Sequence, residues 1–254
     1  MLPGVATAVA LVGIGLGIGL LAGLFGIGGG ILAIPGLTLL LHLDQHLAQG
    51  TSIATILPTT AFAAYRYARR DSVDWRAAAW LGGVALLSAF ASAHLAQHLP
   101  ARLLRTLFAL FLLYVAARTL RHRPAAARNQ AGPPRTQAPV QAGIGGAVGL
   151  LAGLLGVGGG SIATPALVLL CDFPQQLAQG TSLATIVLSS SAGTLGYALA
   201  GRVDWVAAAI LFVGAAATVP AGAALAHRLP EAQLRRVFAI LLVAISVLEL
   251  AQGL

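Results

Sequence analysis

The sequence predicts an all-α, polytopic integral membrane protein: two inverted repeats of about five segments each, including short or re-entrant half-helices. Three observations predict it. Apolar runs of membrane-spanning length recur between short charged breaks, charged residues are scarce, and the second half of the chain repeats the first at a constant offset.

The apolar runs come first. Of 254 residues, 58% are hydrophobic and 9% charged, with a mean hydropathy of +0.88, a balance that a water-facing surface does not tolerate. A hydrocarbon core of about 30 Å takes about 20 apolar residues per helix, and only helices or closed barrels satisfy their backbone there. A barrel requires strands of alternating polarity. Val206 to Leu225 and Val237 to Leu248 are almost continuously apolar instead, so helices are expected.

The charges that remain are informative by placement. All fifteen basic residues are arginines, against seven acidic residues, and the net charge is +8. They stand at or between the ends of apolar runs, as topology determinants do, and not on one face as a nucleic-acid site requires. With no lysine in the chain, a Walker-type ATP pump is excluded. Gly17-x-Gly19-x-x-Ala22 matches a dinucleotide fingerprint formally, but it lies inside an apolar helix with no strand before it. Met1 to Ala22 lacks a basic leader region and reads as the first membrane helix. One cysteine, Cys171, leaves no intramolecular disulfide.

The repeat has an offset of 130 residues. Leu21-Ala-Gly-Leu-Phe-Gly-Ile-Gly-Gly-Gly30 returns as Leu151-Ala-Gly-Leu-Leu-Gly-Val-Gly-Gly-Gly160, and Leu47-Ala-Gln-Gly-Thr-Ser52 as Leu177-Ala-Gln-Gly-Thr-Ser182. Pro35 pairs with Pro165, Val73-Asp-Trp75 with Val203-Asp-Trp205, and Leu99-Pro100 with Leu229-Pro230. Many secondary transporters are duplicated in this way and hold substrate where the copies meet. The expected organisation is a first membrane repeat over 1–121, a polar Arg/Pro/Ala-rich cytoplasmic linker over 122–140, and a second repeat over 141–254.

Within the first repeat the segments fall at about 4–25, 31–42, 50–68, 75–97 and 102–121. The short second segment rises only about 18 Å, so it either completes a crossing together with the glycine break or is a re-entrant arm. Asp74 and Asp204 suit helix N-caps followed by interfacial Trp75 and Trp205, and Pro100 and Pro230 suit first helical turns. If each repeat makes an odd number of passes, twelve arginines lie on the linker side and only Arg102, Arg105 and Arg202 on the other. A parallel arrangement leaves ten against five, so inverted repeats are favoured, with both termini outside.

Two motifs carry the expected site. Gly28, Gly29, Gly30 and their copies Gly158, Gly159, Gly160 let the backbone leave helical geometry, and amides freed at a new helix start favour an anion. Gln49, Gly50, Thr51, Ser52 and their copies Gln179, Gly180, Thr181, Ser182 open long apolar helices, where one hydroxyl caps and the other is free to meet an oxyanion. Thr185 and Ser189 extend that polar face inward. The spacings Gly15-x-x-x-Gly19-x-x-x-Gly23 and Gly145-x-x-x-Gly149-x-x-x-Gly153 suit close helix packing. Asp44, Asp172 and Glu249 lie near segment ends and read as interfacial.

The duplicated G-L-x-G-[IV]-G-G-G followed by A-Q-G-T-S resembles the TauE/SafE sulfite exporter family of membrane permeases over nearly the whole chain. The resemblance implies a secondary transporter of sulfite, thiosulfate or organosulfonates in the bacterial inner membrane, usually an exporter. Expected partners are that small sulfur anion and the lipid bilayer, with no nucleic acid and a homodimer left open. No catalytic residue, cofactor or metal is expected. His42 with His46 and His94 with His98 have helical spacing but lie near helix ends without further ligands. The rival functions are an intramembrane hydrolase using Ser189, Ser190 or Ser191, which lack a nucleophile elbow, and a non-transporting scaffold.

Overall fold

A computed structural model describes residues 4–121 and 138–226, together with 240, 243, 244, 246 and 247. Most of the linker, Arg228, Pro230, Glu231, Arg235, Arg236, Glu249 and most of the expected last segment lie outside the described residues.

Among the described residues the chain is helical without strands. In order come α1 (Val5–Phe25), α2 (Gly30–Pro35) with a π-helical extension (Gly36–Leu40), α3 (Gln45–Ala68), α4 (Trp75–Gln97) and α5 (Ala101–Arg121). The second half supplies α6 (Ala138–Leu155), α7 (Gly160–Leu170), α8 (Gln175–Leu199) and α9 (Trp205–Ala226). Helices α1, α4, α6, α8 and α9 are long and apolar enough to cross a bilayer. Helix α3 is as long, but it carries Gln45, Gln49, Thr51, Ser52, Thr55, Thr59 and Thr60, all buried inside the protein.

The helix starts follow capping chemistry. The Asp74 carboxylate accepts from the Ala77 amide at 2.9 Å, and Asp204 accepts from Ala207 at 2.9 Å. The Pro100 carbonyl accepts from Leu104 just before α5. Helix α3 begins five residues earlier than its sequence suggests, because Asp44 takes the N-cap position and accepts from the His46 amide at 3.2 Å. Helix α8 likewise begins behind Pro174. Gln49 to Ser52 and Gln179 to Ser182 thus sit a turn inside their helices. Helical bonding is under way from Ala48 and Ala178, so these motifs offer neither caps nor free amides.

In lipid, where tails are as apolar as leucine, helices associate through close packing and hydrogen bonds. Gly15, Gly19 and Gly23 of α1 lie against the backbone of α9 at Leu211, Ala215 and Val219. Gly145, Gly149 and Gly153 of α6 lie against α4 at Leu81, Ala85 and Ala89. Numbers rise together in each register, so the partners run the same way. Thr51 beside Asp204 and Thr55 beside Ala208 give α3 the direction of α9, and Thr181 beside Asp74 with Leu188 beside Gly82 gives α8 the direction of α4. Helices α3 and α8 cross with Ile53 against Gly193, in opposite directions. Helix α2 turns back along α1, placing Leu32 at Gly17 and Gly36 at Ile14. The short arm therefore returns the chain to the level where α1 began, since α3 then runs parallel to α1.

Core clusters repeat at the same offset. Ile14, Ile18, Ala33 and Leu37 pack with Leu211 and Ala215, as Ile144, Val148, Ala163 and Leu167 pack with Leu81 and Ala85. Helix α5 lays Phe108, Phe111 and Leu112 over Ile31 and Ile34 of the first arm and over Leu155 and Val157 of the second half.

Candidate transport site

Both glycine breaks require left-handed backbone. Gly28 and Gly29 have φ of 81° and 82°, and Gly158 and Gly159 have 77° and 71°, conformations that cost an L-residue about 1–2 kcal/mol. Helical bonding resumes only when Leu32 and Ala33 donate to the Gly29 carbonyl, and Ile162 and Ala163 to that of Gly159. The amides of residues 28–31 and 158–161 thus have no backbone acceptor among the described residues. Each set of amides stands at a helix start, where the partial charge is positive.

The breaks meet each other at the centre. A Cβ on Gly30 would lie 2.8 Å from the Val157 Cα and 3.0 Å from the Gly156 carbonyl; on Gly160 it would lie 2.7 Å from the Ile27 Cα and 2.9 Å from the Gly26 carbonyl. Ile56 and Ile186, midway along α3 and α8, both flank Gly28 and Gly158. All six glycines of the two triplets are buried.

Each half grips the other's break. Tyr67 directs its hydroxyl to the Gly23 carbonyl and to Gln179 Oε1, both at 3.1 Å, while Gln179 Nε2 donates to the Leu24 carbonyl at 3.3 Å and Ser182 to Gly26 at 3.4 Å. Reciprocally, Tyr197 reaches the Gly153 carbonyl at 3.0 Å and Gln49 Oε1 at 3.2 Å, and Ser52 donates to Gly156 at 2.9 Å. Thr51 and Thr181 do other work: their hydroxyls accept from the Asp204 and Asp74 amides at 3.0 Å, fixing the starts of α9 and α4. Gly50 and Gly180 lie under the Arg202 and Ser72 carbonyls with no room for a side chain.

Of the fourteen residues singled out from sequence, the six triplet glycines thus meet at the central junction, while the other eight stand on α3 and α8 to either side of it with divided tasks. Ser52 and Ser182 hold the uncoiled carbonyls of Gly156 and Gly26. Gln179 reaches back to Leu24 of α1, while Gln49 Nε2 is buried with no partner among the described residues. Thr and Gly seat the neighbouring loops. Thr185 and Ser189 donate to carbonyls of their own helix, as do Ser190 and Ser191. His94 and His98 stack edge to face at 5.1 Å, and no group of three metal-ligating side chains occurs among the described residues. Cys171 is buried beside Leu167 and Phe173 in the core.

Residues 11–248 match the family model "Sulfite exporter TauE/SafE". The chain belongs to the TauE/SafE family. Its relatives include the probable membrane transporter protein YunE of Bacillus subtilis, 28% identical over 97% of this chain and 98% of that one. YdhB of the same organism, also a probable membrane transporter protein, is 30% identical over 86% of this chain and 90% of its own. A probable membrane transporter protein of Xylella fastidiosa strain 9a5c is 30% identical over 94% and 93%. No solved structure matches the chain. TauE/SafE membership makes this a multi-pass membrane transporter and not an enzyme.

Sequence reasoning missed Tyr67 and Tyr197, although both obey the repeat and each is a large polar side chain near the end of a helix rich in small residues. It also missed Ser161 and Thr164, which replace Ile31 and Ile34 of the first arm. Tyr67→Phe and Tyr197→Phe are expected to destabilise the protein by similar amounts, about 1–3 kcal/mol each, since each leaves a buried carbonyl and a glutamine oxygen short of a donor. Thermal unfolding in detergent checks this; unequal losses would show that the two grips differ in strength.

Proposed function

We propose that this transporter exports a small sulfur oxyanion (sulfite, thiosulfate or an organosulfonate) across the bacterial inner membrane, binding it at the uncoiled amides where the two breaks meet. That pair of amide-rich breaks, closed together in mid-protein, is the observation that carries the reading. Amides at a helix start attract an anion without a buried cation, so the solute is held without the desolvation cost of a fixed charge. Oxygens of a sulfite or sulfonate match several such donors at once.

Inverted repeats, residues 1–121 and 141–254, fit the helix directions: α1 and α3 run with α9, while α6 and α8 run with α4. With the linker inside and both termini outside, most arginines face the cytoplasm, in keeping with positive-inside bias. Arg66, Tyr67, Arg70 and Ala223 line a shallow depression at that end. The positions equivalent to the two arginines at the other end are Gly196 and Ala200. An anion is therefore drawn towards the cytoplasmic mouth and not the outer one, which favours export. At an inside-negative potential each negative charge moved outward gains about 2.3 kcal/mol per 100 mV.

Proteoliposomes preloaded with sulfite, thiosulfate or methanesulfonate are expected to release one of them faster when the interior is made negative. Protein-independent rates for the whole series would overturn the proposal. Arg66→Gln with Arg70→Gln is expected to raise KM about tenfold for anion presented at the cytoplasmic face and leave kcat within about twofold, since two exposed charges act on encounter and not on the inner site. An unchanged KM at the cytoplasmic face after substitution would remove the arginines from the path.

A further inference from the structure

The two breaks are alike in backbone but not in side chains. Ser161 and Thr164 stand where the first arm has Ile31 and Ile34, and their hydroxyl oxygens are buried with no hydrogen-bond partner among the described residues. Ser161 is 7% exposed and Thr164 4%. Both lie on α7, which has eleven residues, at three-residue spacing on one face. Side chains on a helix lean towards its N-terminus, so the Thr164 hydroxyl tilts back towards the first turn, where Ser161 and the unpaired amides of residues 158–161 stand. Buried hydroxyls are almost always bonded, and each orphan costs stability. Isoleucines at the same register pack well against α5 in the first half, so packing alone does not call for a hydroxyl there.

Building on the anion-transport reading above, we propose that the site is one-sided: a single oxyanion seat at the second break, formed by the amides of residues 158–161 and completed by Ser161 and Thr164. The first break carries Ile31 and Ile34 at the same positions, so its arm sets no hydroxyls beside the amides, and it serves as the packing partner. Two hydroxyl donors added to a cluster of amides suit a solute with three oxygens on one sulfur, which they surround from two sides. Hydroxyls also accept, so the seat takes a protonated oxyanion such as bisulfite as readily as its conjugate base.

The test replaces the orphans by the first half's own residues, Ser161→Ile with Thr164→Ile, and in parallel by the smaller Ser161→Ala with Thr164→Val. Flux in proteoliposomes and the thermal stabilisation given by sodium thiosulfate, sulfite and methanesulfonate, against chloride at equal ionic strength, are both measured. Expected is a loss of flux and of anion affinity of about tenfold or more, with the unfolding midpoint at or above that of the wild type. Hydroxyls with a purely structural part would lower the midpoint in both pairs and leave affinity unchanged, overturning the seat. Wild-type flux in either folded pair overturns it too, with the transport reading intact. Absence of wild-type flux for every sulfur anion removes the transport reading itself.

Discussion

Gly29→Ala and Gly159→Ala are each expected to cost about 2–5 kcal/mol and to leave little folded protein, as read by yield of monodisperse protein and by unfolding midpoint. Two terms add. A left-handed φ of 82° or 71° costs an alanine about 1–2 kcal/mol. The new methyl would also lie 2.8 Å from the Ile18 carbonyl at Gly29, and would overlap the Val148 carbonyl at Gly159. Overpacking of that kind adds about 1–3 kcal/mol. From sequence alone, a bulky residue at these positions would be expected to block solute passage while sparing insertion. Both glycines instead press on the preceding helix of their own half, so the loss falls on the fold first. A stable Gly29→Ala protein would mean that the break relaxes out of left-handed geometry.

Gly50→Ala and Gly180→Ala are the second pair of large effects, and here opposing terms must be weighed. Inside a helix, alanine is favoured over glycine by about 1 kcal/mol. Against that gain, the methyl would overlap the Arg202 or Ser72 carbonyl, which is backbone and cannot rotate aside. The loop must move, which breaks the bond between Thr51 and the Asp204 amide, or between Thr181 and that of Asp74. Overlap at about 1–3 kcal/mol and a lost buried bond at about 0.5–1.5 kcal/mol outweigh propensity. A net loss of about 1–3 kcal/mol is expected, and an unchanged or raised unfolding midpoint would contradict the tight seating of these loops.

Much of the architecture was legible because hydropathy and the repeat are properties of the chain itself. The segments near 4–25 and 75–97 match α1 and α4 within a residue or two, since α1 stops at the left-handed Gly26 and α4 opens on the Asp74 cap. The start of α3 was misplaced because Gly50 and Thr51 look like a helix opening, whereas Asp44 caps one turn earlier and the glycine answers a contact from residue 202. Such a contact, 152 positions away, leaves no local trace. The motif residues were found by their repetition, but their tasks were not: whether a threonine meets a solute or a loop amide depends on the helix beside it. Ser161 and Thr164 were overlooked for the opposite reason. Attention to what the halves share hides the places where they differ.

The crossed grips carry a consequence for tightness. Tyr67 and Tyr197 sit near the ends of α3 and α8, and since these helices run in opposite directions, the two grips lie towards opposite ends of the protein and, on the proposed transport reading, act as latches on its two sides. At about 2 kcal/mol apiece, releasing one latch makes a state about 30-fold rarer, and releasing both makes it about a thousandfold rarer. A protein open to both compartments at once is thereby suppressed by simple multiplication of populations, with no dedicated plug, and the ion gradients of the host cell are protected from short-circuit.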